Sequence, residues 1–63
     1  MSMKEARKAA GLTQEEAAER LGVGRTTYLR MEKVPDTVTI GQAKRFCELT
    51  GTTVEEVFLR GME

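Results

Sequence analysis

Four times along this chain a hydroxyl residue suited to start a helix precedes an apolar stripe at helical spacing, and three of those stripes run into a glycine. That punctuation allows only short helices joined by tight turns. Ser2 can cap a first helix with Met3, Ala6 and Ala10 on one face, closed by Gly11. Thr13 and Glu16 form a Thr-x-x-Glu capping box that opens a second helix, with Ala17, Ala18 and Leu21 inward and Gly22 as its stop. A third helix is expected from about 24 to 32, with Tyr28 and Met31 on its inner face. Pro35 disfavours a helical Val34, so 33–38 is predicted to be a loop. Thr39 can cap a fourth helix whose buried stripe runs through or near Ile40, Ala43, Phe46, Cys47 and Thr50 to Gly51. Thr53 and Glu56 repeat the capping box and open a short fifth helix holding Val54, Val57 and Phe58, while 60–63 is expected to fray. The fold class expected is therefore all-α, five helices in one domain spanning 1–63.

A chain of 63 residues has only a small core, so dimerisation would be a natural reinforcement. The single cysteine, Cys47, cannot close an internal disulfide, and there is no histidine for a zinc site. These features favour a reducing, cytoplasmic setting, with no metal or cofactor expected. The opening MSMKEARKAA carries charge without an apolar segment, so it is expected to be neither a secretory leader nor a membrane span. Ten basic residues balance ten acidic ones, which gives no bulk signal for nucleic acid. Their placement is uneven. Residues 1–33 hold seven basic and five acidic residues, and 34–63 hold three and five, as in a protein with one DNA-facing side or simply a mixed solvated surface. No paired nucleophile and base or phosphate-cradling glycine loop is present, so an enzyme is not expected.

The most specific stretch is 13–32, TQEEAAERLGVGRTTYLRME. Its two helices are separated by Leu21-Gly22-Val23-Gly24, too short a link for antiparallel packing, so they must cross steeply as in a helix-turn-helix. Ala18 allows close approach, and Gly22 can take the positive φ of the turn without steric cost. From about Met3 to Leu59 the chain resembles the lambda repressor and Cro-like (Xre-type) helix-turn-helix domains. The resemblance is carried by Arg7, Gly11-Leu12-Thr13-Gln14-Glu15-Glu16, Ala18, Leu21-Gly22-Val23, Arg25-Thr26-Thr27, Glu32 and the closing Gly51-Thr-Thr-Val-Glu-Glu-Val-Phe.

The resemblance implies a five-helix lambda-repressor-like fold and a recognition helix, at about 24–32, that lies in the major groove of double-stranded DNA. Gly24, Arg25, Thr26, Leu29 and Arg30 would face the bases, with Arg25 and Arg30 able to fork onto guanine. Gln14 would bond backbone phosphate at the start of the second helix, and Thr13 and Thr27 are further phosphate candidates that could instead cap or pack. Arg7 and Glu32 match a structural ion pair that clamps the first helix to the end of the recognition helix. Three features depart from the family pattern. Ala17 replaces the usual leucine and Tyr28 the usual isoleucine or valine, a compensating exchange that makes Tyr28 core with its hydroxyl near the surface or within reach of a phosphate. Leu29 stands at a normally polar position, and the loop after Lys33 carries Asp36 where relatives are basic.

The function expected is a transcriptional regulator, repressor or Cro-like, acting as a homodimer on a near-palindromic operator, without a small-molecule effector or a membrane. Val57, Phe58 and Leu59 offer a dimer surface, although Phe58 could equally close the monomer core. The competing expectation is a protein-interaction module that has kept the fold with little DNA binding; neutral charge, Leu29 and Asp36 favour it, while Gln14, Arg25, Thr26 and Arg30 oppose it.

Overall fold

A computed structural model describes residues 1–59 as an all-helical fold: α1 (Met3–Ala9), α2 (Gln14–Leu21), α3 (Arg25–Lys33), a 3₁₀ turn at Pro35–Thr37, α4 (Ile40–Thr50) and a π-helical segment, α5 (Glu55–Leu59). The expected fraying of 60–63 lies outside the described residues.

Local chemistry sets the helix starts. Ser2 with Glu5, Thr13 with Glu16 and Thr39 with Gln42 each close a reciprocal capping box, and Thr53 with Glu56 makes the same pair of bonds ahead of α5. Each box satisfies backbone N–H groups that a helix start leaves without partners. At α2 the backbone N–H of Thr13 also holds the Glu16 carboxyl below its ordinary pKa. Gly22 and Gly51 end α2 and α4 in the left-handed region, where a side chain would be strained. Pro35 acts as its ring geometry requires: Val34 leaves the helix at φ −130°, ψ 81°, and the predicted loop contains one 3₁₀ turn.

The core gathers Met3, Ala6, Ala17, Ala18, Leu21, Tyr28, Met31, Phe46 and Cys47, with Val23, Val38, Val54, Val57 and Phe58 packed against it half-buried. Two expected core positions are corrected. Ala10 is exposed because α1 stops at Ala9 and Ala10 is its C-cap; Arg7, one turn after Met3, takes the inward place. Ile40 is 76% exposed, since it sits at the first position of α4, on the edge of the stripe, where nothing covers it. The fifth helix also differs from expectation by winding as a π-helix. Val57 and Phe58 of this segment pack against the core.

Gly41 is exposed in the first turn of α4, and a Cβ built there would meet nothing within 4 Å. Gly41→Ala is therefore expected to stabilise the fold by about 0.5 kcal/mol, by lowering the entropy of the unfolded chain. A urea titration should show the midpoint rising with the slope unchanged.

Candidate nucleic-acid interface

The link between α2 and α3 is three residues long. The backbone N–H of Gly22 bonds the carbonyls of Ala18 and Glu19, that of Val23 bonds the Ala18 carbonyl at 3.0 Å, and Gly24 is the N-cap of α3. Leu21 is the last residue of α2 and Gly22 its C-cap, as expected from the sequence. Ala17 and Ala18 of α2 are buried in the same core cluster as Tyr28 and Met31 of α3, consistent with a small-for-large exchange between the two helices.

Burying Tyr28 and Met31 fixes the rotation of α3. Arg25, Thr26, Leu29, Arg30 and Lys33 follow one another along the opposite, exposed side, and Thr27, four residues before Met31, lies at its edge. Among the described residues neither Arg25 nor Arg30 is ion-paired. Leu29 is 38% exposed within this strip. Gly24 leaves the start of α3 without a side-chain cap. Thr13 is exposed beside the half-exposed Gln14 at the start of α2, with its hydroxyl accepting from the Glu16 backbone N–H at 3.1 Å.

Behind this face lies a polar cluster that joins three helices. Arg7 Nε donates to Glu32 Oε2 at 2.7 Å, with both side chains 8% exposed, and Arg7 Nη1 donates to the Leu12 carbonyl at 2.9 Å. The Tyr28 hydroxyl donates to the same Oε2 at 2.6 Å, and Gln14 Nε2 donates to Oε1 at 3.2 Å. The expectation that Tyr28 would hold its hydroxyl near the surface is corrected: the residue is fully buried and the hydroxyl is spent on Glu32. Burial pushes the Glu32 pKa up, but bonds from Tyr28, Arg7 and Gln14, together with the Arg7 charge, outweigh it and hold the carboxyl below its ordinary value. Burial, and then the Glu32 bond, push the Tyr28 phenol well above its ordinary range.

Sequence reasoning paired Arg7 with Glu32 but did not place Tyr28 or Gln14 in the cluster. The available signal was the i, i+4 spacing of Tyr28 and Glu32 on one helix, which brings a phenol beside a carboxylate.

The helix-turn-helix family model HTH_3 matches residues 3–57, from the first residue of α1 into α5. The chain belongs to this Xre/lambda Cro-like helix-turn-helix family. HTH_3 domains are DNA-binding helix-turn-helix regulators, and α3 is the second helix of the motif here. No curated protein and no solved structure gives a match. No helix among the described residues is long and apolar enough to cross a membrane.

Proposed function

We propose that this HTH_3 chain is a sequence-specific transcriptional regulator of the repressor or Cro-like kind that reads double-stranded DNA through the outward side of α3. The observation that carries the reading is the division of α3 itself: Tyr28 and Met31 are buried, while Arg25, Thr26, Leu29 and Arg30 stand together in solvent. Arg25 and Arg30 supply forked donors for guanine O6 and N7, and Thr26 bonds a base edge or packs its methyl on thymine. Gln14, with Thr13 and Thr27, takes backbone phosphate and sets the register, and Gly24 keeps the start of α3 free of side-chain bulk near the groove. Leu29 packs on a thymine methyl.

The regulator acts as a homodimer, because one recognition helix covers only a few base pairs and two are needed to read a near-palindromic site. Its dimer face is the apolar cleft of about 390 Å³ between the 3₁₀ turn, the start of α4 and α5. The exposed Ile40 and Leu59 stand on this cleft beside Pro35, Val38 and Phe58. The cleft carries one acid, Asp36, and one base, Lys44, so a two-fold copy can set each against its opposite.

Selection from a randomised duplex library at about 50 mM salt tests DNA reading, since phosphate attraction is strong there. An inverted repeat is expected to be enriched. Arg25→Ala and Arg30→Ala should each relax the preference at a different position and weaken binding by about 1–3 kcal/mol. Recovery of no motif would leave the exposed Leu29 and neutral charge better explained by a protein-binding module.

A further inference from the structure

Glu32 divides its carboxylate between two duties. Oε2 receives Tyr28 and Arg7, while Oε1 receives the amide of Gln14. Arg7 holds that carboxylate through Nε and sends Nη1 to the Leu12 carbonyl, so it does not fork onto both oxygens. A single-point ion pair leaves a carboxylate free to turn about the bond. The Tyr28 hydroxyl adds a second fix on the same oxygen, from a ring that is fully buried and cannot swing away. The plane of the carboxylate is thereby set, and Oε1 is kept where the Gln14 amide reaches it.

An amide nitrogen carries two N–H groups. Facing a carboxylate, Gln14 must present its nitrogen and not its carbonyl, and one N–H is then spent on Glu32. The second remains, on a half-exposed residue in the first turn of α2. We propose that Tyr28 is a positioning residue for phosphate binding: by locking Glu32, it holds the Gln14 amide as an oriented donor whose second N–H takes a backbone phosphate oxygen. Without the lock, the amide can rotate its carbonyl toward the phosphate, where acceptor would meet acceptor. This inference rests on the DNA-reading function above, and it gives a residue that never touches DNA a part in its affinity.

The test is Tyr28→Phe, which keeps the ring in the core and removes only the hydroxyl. In the free protein, NMR relaxation of the Gln14 side-chain NH₂ should show a rigid amide in the parent and a mobile one in the variant; equal mobility in both would overturn the proposal. A four-protein cycle of parent, Y28F, Q14A and Y28F/Q14A then reads affinity for the selected duplex. Y28F should lose about threefold to tenfold when Gln14 is present, the size of one hydrogen bond, and almost nothing in the Q14A background. Its base preference should stay that of the parent, since a phosphate contact carries no sequence information. A merely structural role would lower the melting temperature equally in both backgrounds and give the same affinity loss with or without Gln14, which refutes the positioning role. If the parent itself selects no motif, the DNA-reading function fails and this inference with it. If the parent selects one but the cycle is additive, only the inference fails.

Discussion

Arg7→Ala is expected to cost about 3–5 kcal/mol at neutral pH, because it leaves the Glu32 carboxylate buried beside an empty space instead of a guanidinium. A chain of this length holds only on the order of 3–9 kcal/mol in total, so the variant should be largely unfolded at 37 °C. The pH dependence identifies the cause. Glu32 has a lowered pKa in the folded protein, so its contribution to stability is present above the unfolded carboxyl pKa and is lost as pH falls through the folded value. The Arg7→Ala variant lacks the cation that keeps the carboxylate charged, and protonating Glu32 relieves its buried charge. The stability gap between parent and variant, measured by urea unfolding at neutral pH and at about pH 4, should therefore narrow in acid. A gap of constant size would assign the loss to the packed stem of Arg7 and not to its charge. At the other end of the scale, Tyr28 has a pKa raised above its unfolded value. Its contribution is fully present below pH 10 and is lost as pH rises beyond it, so the parent should weaken in strong base while Y28F lacks that limb.

The cluster also shows what a sequence can and cannot disclose. Capping is local: a threonine and a glutamate three residues apart decide a helix start almost independently of the rest of the chain, and those starts were legible. The faces of α2 and α3 were legible for a similar reason, since small residues and a 3.6-residue stripe leave one packing solution. What sequence concealed depends on three-dimensional coverage. Ile40 has the chemistry of a core residue and the correct approximate spacing, yet it lies where no other element reaches. Ala10 shares the face of Met3 and Ala6 but is the C-cap beyond the last residue of α1, where it stays exposed. The outward strip of α3 was named through the family resemblance and the Tyr28–Glu32 contact was open to i, i+4 spacing, whereas the attachment of Gln14 to the same carboxylate requires α2 and α3 to be packed first.

Phe58→Asp and Ile40→Asp should separate the core from the proposed dimer face, because two residues on one cleft are buried to very different degrees. Phe58 packs edge-on against the fully buried Phe46, with ring centroids 6.1 Å apart at 82°. Losing that ring costs about 3 kcal/mol, and an aspartate put in its place would also lose solvation, so Phe58→Asp should unfold the chain. Ile40 and Leu59 are 76% and 47% exposed, and their replacement by Asp should change the stability of the isolated fold by no more than about 0.5 kcal/mol. Sedimentation should then find Ile40→Asp and Leu59→Asp folded and monomeric at concentrations where the parent is a dimer. The melting temperature of the parent should rise with concentration, and that of the two variants should not. A dimer that survives Ile40→Asp would place the interface elsewhere, and a folded monomer from Phe58→Asp would move Phe58 from core to interface. The DNA consequence follows from geometry. A monomeric variant keeps α3 and its arginines, so it should retain the base preference of one half-site. What it loses is the fixed distance between two recognition helices, so the enriched sequence should shrink from an inverted repeat to a single half.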